Sequence, residues 1–358
     1  MAICWSWAFG PESDAEMIDM GWEAWNAGVN KDSSANRVYS YIGSPTRYSA
    51  TRGAGGVAQI RPPLEAYAAW VSVNAGCVSA PLKREGLSIA NGTQDVIRVV
   101  DPATNKWTSV KTLSGTGALS LYVDLIFKET SAPYDLSVWK YVSLKWDMST
   151  ATWKGQIFVD GVAATAEHTD LRSIASNPYV DFGSAGSTSN PWCIGQIILW
   201  DAYADPAEVP YFVTRVNPNA DGTNVGTWTP STGVDDYAVV APPYADTTYT
   251  EETTPTASDQ MEVLTNATAA TLDTQLGVTA ASVQAVTLHT NSVGQAITAR
   301  AILRDGPTAA SADAATGDTK AIDPTNSTYA TVTATAKSGA GAWAGTDAPA
   351  FVYEVVTA

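Results

Sequence analysis

A glycoside hydrolase needs two carboxylates about 5 to 9.5 Å apart across the sugar. On an extended segment that need shows as acidic residues two positions apart on one face. The nearest candidates are Asp14 with Glu16, Glu129 at a strand end, and Asp235-Asp236 in a loop. None belongs to an alternating acidic array, and Asp235-Asp236 reads as a solvated turn. The two histidines, His168 and His289, have no evident partner beside them in sequence, whereas zinc binding and Ser/His or Cys/His catalysis require one. Cys4, Cys77 and Cys193 are odd in number and far apart, which fits reduced, buried thiols rather than a metal cluster or a disulfide framework. The Gly-rich run 48–63, YSATRGAGGVAQIRPP, lacks the GxxxxGK(S/T) pattern and a following amphipathic helix, so it is a flexible corner rather than a phosphate cradle. These residue types predict no catalytic residue, no cofactor and no metal ligand: the chain is expected not to be an enzyme.

The elements that would position any site are strands. Between Leu136 and Asp170, the residues Lys140, Val142, Leu144 and Trp146 alternate with Tyr141, Ser143 and Lys145, the period of a half-buried strand. A polar turn over 147–152 leads to a second strand, with Trp153, Gly155, Ile157 and Val159 on one face. It ends at Asp160-Gly161, a strong hairpin signal because glycine takes positive φ freely. Leu119 to Lys128 reads as one further strand, with Leu119, Leu121, Val123, Leu125 and Phe127 sharing a face. Val96–Val100 and Lys106–Lys111 flank DPATN, a turn built on Asp-Pro and Asn. Residues 193–201, CIGQIILWD, are apolar on nearly both faces and belong in the middle of a sandwich, covered on both sides. A strand is also expected over 66–73, and a weak helical pattern over 14–27 competes with a first strand. Short strands at this spacing with Gly, Pro and Asn turns specify an antiparallel β-sandwich over residues 1–205.

With 20 Lys plus Arg against 36 Asp plus Glu, the net charge of −16 repels phosphate backbones, so nucleic acid is not an expected partner. No basic leader and no apolar run long enough for a membrane span is visible, and the expectation is a soluble chain without membrane insertion. The 13 tryptophans are more than one core requires and could stack on sugars, although a sandwich Trp is more often core. Asn91, Asn266 and Asn326 open Asn-x-Thr/Ser sequences that matter only on a secretory route. After a Pro/Asn/Thr-rich connector over 206–259, closing with the acidic EETTPTASD, composition shifts to Ala and Thr. Paired strands over 283–290 and 296–304, with 329–336 and 351–356 closing the chain, predict a smaller β-sandwich over 260–358.

The Trp139 strand, the 155–161 strand ending in VDG and the IGQIILWD strand together resemble the laminin-G-like or concanavalin-like jelly roll. The segment behind it resembles one found in tailed-bacteriophage structural proteins, through RVNPNADG (215–222), Trp228-Thr229, DDYA (235–238) and the run 242–249. The closing FVYEVV resembles their last strand. The resemblance implies a non-enzymatic virion protein, a tail-tip or fibre component or a surface decoration, assembled in the bacterial host cytoplasm. Its partners would be other virion proteins, copies of itself and a host-surface glycan. Head and tail locations stay open. The laminin-G resemblance also leaves open a structural calcium, with Asp19, Glu23, Asp160, Asp170 and Asp201 near strand ends. The alternative is a carbohydrate-binding, lectin-like module; a glycoside hydrolase ranks last.

Overall fold

The computed structural model describes residues 74–84, 94–113, 116–175, 177–183, 197–200, 202–206, 219–240, 250–264, 297–306, 311–322, 336–341 and 349–357, and the strands named below outside those ranges, with Pro62. The chain divides into two units, Met1–Phe9 with Ser13–Thr214, and Gly10–Glu12 with Arg215–Ala358. Both are built of antiparallel strands, so the chain is all-β, as its alternation and turn residues require.

The strands of the first unit begin with β1 (Ile3–Trp7), β2 (Glu23–Trp25), β3 (Val29–Lys31), β4 (Tyr48–Ala50), β5 (Gln59–Arg61) and β6 (Ala75–Arg84). Next come β7 (Gln94–Asp101), β8 (Lys106–Thr112), β9 (Leu119–Val123), β10 (Ile126–Thr130), β11 (Lys140–Asp147) and β12 (Thr152–Val159). The last are β13 (Val162–Ala163), β14 (His168–Leu171), β15 (Tyr179–Gly183), β16 (Trp192–Ile194) and β17 (Ile197–Trp200). One sheet runs β13-β12-β11-β6-β16-β4-β3, with β14 also on β12 and β17 bridging β6 to β1. The other runs β10-β9-β8-β7-β15-β5-β2.

Two sheets face each other across one apolar layer. Val78, Leu144, Trp146 and Ile157 come from the first; Ile97, Val99, Val110, Leu121, Val123 and Phe182 come from the second, all at 2% exposure or less. Gly155 marks how closely the layers approach, since a Cβ there would meet Thr108, Leu121 and Val123 side chains at 2.9 to 3.2 Å. Trp146 stands opposite this glycine in the register and is fully buried. Truncating such a buried Trp costs about 3–5 kcal/mol.

The 140–161 hairpin forms as expected. Lys140–Asp147 pairs with both β6 and β12, and the turn from β12 to β13 places Asp160 and Gly161 at φ 51° and 81°, the geometry of a two-residue primed turn. β11 differs from a half-buried strand, however: Tyr141, Ser143 and Lys145 are buried too. Ser143 is hydrogen bonded to Ser79 at 2.7 Å, and Trp200 Nε1 donates to Ser79 at 3.0 Å, so these three residues form a polar cluster on this second face.

Two strand readings change, and a third segment takes the strand form of its two alternatives. The 119–128 segment is two strands around a turn at Asp124-Leu125, both at positive φ, and Phe127 is consequently exposed. The 193–201 segment is also two strands, both laid on β6, with 197–200 wholly buried. Within 14–27 the described residues form the strand β2, not a helix. The strand expected over 66–73 lies outside the described residues.

In the second unit are β18 (Ala220–Asp221), β19 (Thr229–Pro230), α1 (Asp236–Val240), β20 (Thr250–Glu251) and β21 (Gln260–Leu264). They are followed by β22 (Gln284–Thr290), β23 (Thr298–Arg304), β24 (Asp313–Thr316), β25 (Lys320–Ala321), β26 (Thr328–Ala334) and β27 (Ala350–Thr357). One sheet has the order β18-β21-β27-β23-β24, with β25 on β23, and β22 pairs with β26 as a separate ribbon. Ala301 and Leu303 of the sheet pack on Val332 and Ala334 of that ribbon. Trp228 sits edge-on to Tyr353 at 5.6 Å beside the cluster of Met261, Ala299, Ile322 and Val355.

Candidate functional site

The run DVIRVVD sets a charged residue in the middle of an otherwise apolar strand. Ile97 and Val99 face the core, so the alternation of β7 turns Arg98 and Val100 to the opposite face of the sheet. The register continues that face sideways. Val100 is opposite Trp107 on β8 and Tyr179 on β15, and Arg98 is opposite Asp181. On β5, the pairing of Ile60 with Phe182 and Gln59 with Gly183 brings Arg61 level with Asp181. Four strands thereby converge on a cleft of about 260 Å³ lined by Arg61, Arg98, Asn105, Trp107, Tyr179 and Asp181. Asn105 reaches it because the DPATN turn puts it at φ 53°, with Asp101 accepting hydrogen bonds from Ala103 N and Thr104 Oγ1.

Asp181 is the pivot. Its side chain is 1% exposed, and it accepts Arg61 Nε on Oδ1 and Arg98 Nη2 on Oδ2, both at 2.9 Å. A buried carboxylate needs such partners, because desolvation without them costs several kcal/mol. The rings hold the cations from the other side: Arg61 Cζ lies 3.5 Å from the Tyr179 centroid and Arg98 Cζ 5.0 Å from that of Trp107. Arg98 Nε and Trp107 Nε1 are buried with no hydrogen-bond partner among the described residues. The arrangement is a fixed pair of guanidinium groups with one carboxylate, in a recess the size of a single ring or head group rather than of a drug-sized ligand.

The same face continues across β8 and β9. Lys111 Nζ sits 4.3 Å from the Tyr122 centroid and 3.6 Å from Asp95 Oδ1, and Tyr122 meets Phe127 edge-on at 5.7 Å. Burial pushes the Asp95 carboxyl above the usual range, against the pull of Lys111.

Residues singled out from sequence go elsewhere. His168 does have a partner, Glu129, with Nε2 2.8 Å from Oε2, and Ala166 N donates to the same oxygen. Neither borders the cleft. Asp236 is not in a solvated turn: it is 5% exposed at the start of α1, accepting from Asn224 Nδ2 and Thr250 Oγ1, while Asp221 accepts from Tyr237 N of the same turn. Asp160 accepts from Lys140 Nζ and Tyr141 N, and Asp170 from Lys128 Nζ and Leu171 N. Cys77 is fully buried, which pushes its thiol up to about 12. The side chains of Asp14, Glu16, Asp19, Glu23, Asp201, Cys4, Cys193 and His289, and residues Asn91, Asn266 and Asn326, lie outside the described residues. Among the described residues no three His, Cys, Asp or Glu gather as a metal would need, and no helix is long and apolar enough to cross a membrane.

Trp139, Trp146, Trp153 and Trp200 are all core, while Trp107 is the tryptophan that reaches the cleft. Sequence reasoning assigned a binding role to none of the cleft residues. Its available signal was Arg98 within an apolar strand, since a buried Arg is rare unless paired.

No protein-family model and no curated protein matches the chain. Among solved structures it is similar to a Trypanosoma rangeli sialidase in complex with sialic acid, at 13% identity and a TM-score of 0.34 over 44% of this chain and 26% of that one. It is similar to the binding domain of botulinum neurotoxin DC in complex with rat synaptotagmin II, at 10% identity and TM-score 0.35 over 69% of this chain and 66% of that one. A third is the cellulose-induced protein Cip1, at 13% identity and TM-score 0.36 over 52% of this chain and 93% of that one. The match thus spans about a quarter of the sialidase's length. The expectation that the chain is not an enzyme is corrected: sialidases, which are enzymes, stand among the similar structures, and that expectation is withdrawn. The likeness is to β-sandwich folds and assigns no activity. None of these comparisons supports a phage origin.

Proposed function

We propose that the first unit is a lectin-like recognition module that binds carbohydrate in the Arg61–Arg98–Asp181 cleft, with Trp107 and Tyr179 shaping its walls. The observation that carries this reading is the cleft itself: two guanidinium groups fixed by a shared buried carboxylate and by aromatic rings. Sugars present hydroxyl and acidic groups on a ring, and a polar recess with aromatic walls complements both. This takes precedence over the virion-packing role expected from the sequence resemblance, for which no feature of the described residues speaks.

The test is a glycan survey with the intact chain and a Trp107→Leu variant of matched melting temperature. Retention of a defined set of glycans by the wild type, weakened in the variant, is the expected result. Retention of no glycan, or equal retention by both proteins, would remove the reading.

A further inference from the structure

The cleft is one end of a longer feature. Across five neighbouring strands, β5, β15, β7, β8 and β9, one face carries three cations, each set on an aromatic ring: Arg61 on Tyr179, Arg98 on Trp107 and Lys111 on Tyr122. The same face holds two paired carboxylates, Asp181 and Asp95. Among the described side chains this face sets three cations against two carboxylates, with Glu23 of β2 opposite Arg61 in the register. The rings are turned to the cations rather than left bare, so they act as holders of charge more than as stacking platforms. The Arg98 side chain is 9% exposed, lines the cleft, and spends one hydrogen bond, from Nη2, on Asp181. A guanidinium held rigid with donors to spare is suited to an oxyanion, which it meets with charge-assisted, two-point geometry.

We propose that the ligand of this face is an acidic glycan, a chain bearing carboxylate or sulfate groups, with one anionic group received at Arg98 beside Arg61 and a following one toward Lys111. This rests on the carbohydrate-recognition reading and narrows it to a charged substrate class. Neutral glycans lack the group that Arg98 is positioned to meet, and a free anion lacks the sugar ring that the recess would enclose.

The experiment is isothermal titration of the intact chain against two backbone-matched pairs that differ in charge: oligogalacturonate with its methyl ester, and dextran sulfate with dextran. Inorganic sulfate serves as a competitor. The acidic member of one pair is expected to bind at least about tenfold more tightly than its neutral partner, as a charge-assisted contact implies. Which pair responds separates carboxylate from sulfate. Arg98→Lys and Lys111→Gln, each with an unchanged melting temperature, are expected to weaken that binding, and added salt to weaken it further. A neutral partner bound equally well would overturn the acidic assignment while leaving carbohydrate recognition standing. Binding insensitive to both substitutions, or displaced fully by inorganic sulfate at matched charge, would overturn it as well. No binding in either pair, together with a blank glycan survey, would remove both readings.

Discussion

Lys128 Nζ lies 2.8 Å from Asp170 Oδ2, and this contact joins β10, the edge of one sheet, to β14, at the edge of the other. It has neighbours on both sides. Glu129 of β10 meets His168 of β14, and Asp124 in the β9–β10 turn is ion-paired to Arg172 just beyond β14. A sandwich edge exposes unpaired strand backbone, which proteins commonly shield with charge. Here two ion pairs and the Glu129–His168 hydrogen bond span the open side of the two layers, so polar contacts hold the edges at a set spacing.

The stitching makes stability depend on acid. The hydrogen bond from His168, and then that from Ala166 N, hold the Glu129 carboxyl below its usual range; the Lys128 ammonium does the same chiefly for Asp170. A lowered folded value means stabilisation present above the unfolded values of about 4.3 and 3.9 and lost as pH falls through the folded ones. The melting temperature should therefore drop below about pH 4. Glu129→Gln with Asp170→Asn should flatten that drop. An unaltered acid limb in the double variant would show that these groups do not contribute.

Asp124 is the buried member of the third pair, with a 1% exposed side chain. Its Oδ1 has no hydrogen-bond partner among the described residues. Removing Arg172 strands the charge, and Arg172→Met should cost about 1–3 kcal/mol in a denaturant titration, reduced from the fully buried figure because Arg172 is partly exposed. Asp124→Asn added to it should restore part of the loss. Additive losses would argue against coupling.

Most of the first unit was legible because its signals are local. The Asp160-Gly161 turn, the DPATN turn and the Trp153–Val159 alternation each follow from residue type alone, and each is present. The cleft was not legible, because it depends on register across four strands that lie as far apart as Arg61 and Asp181 in sequence. The turn at Asp124-Leu125 escaped for another reason. Asp-Leu is a poor match to a primed turn, and Leu125 continued an apolar alternation, so the two-residue period hid the reversal. What enforces the turn is tertiary: Asp124 on Arg172, and Leu125 N donating to Trp107 O at 3.2 Å.

That conflict can be measured. Leu125 is held at φ 66°, a conformation costing a non-glycine residue about 1–2 kcal/mol. Leu125→Gly should thus be neutral or stabilising by up to about 1 kcal/mol despite the added freedom of the unfolded chain. A loss above about 1 kcal/mol would mean that the Leu125 side chain packs more than it strains.

In the second unit, Glu262 is fully buried and receives Arg304 Nη1 at 2.8 Å and Thr223 N at 2.8 Å. Gly222 makes room for it: a Cβ there would stand 2.3 Å from Glu262 Cγ. Arg304→Met leaves that carboxylate without its cation and should cost about 3–5 kcal/mol. Arg304→Met with Glu262→Leu should recover much of it. Gly222→Ala should destabilise by more than about 1 kcal/mol through overpacking. Hydrogen exchange of β21 and β27 amides reads these losses locally. Unchanged exchange in Arg304→Met would show that the pair does not hold this sheet.

Tyr179 separates two ways in which the cleft could work. Its ring backs the Arg61 guanidinium at 3.5 Å, while Arg61 also bonds Asp181. If the ring acts by fixing the cation, Tyr179→Phe should retain glycan affinity within about twofold, and Tyr179→Leu should lose about three- to tenfold, the range of a partly desolvated cation–π contact. The loss should appear mainly in the dissociation rate, since association is governed by diffusion and charge. Were the tyrosine hydroxyl itself the contact to the sugar, Phe and Leu would lose affinity alike. Were the ring a bystander, neither would, and the guanidinium pair alone would have to account for recognition.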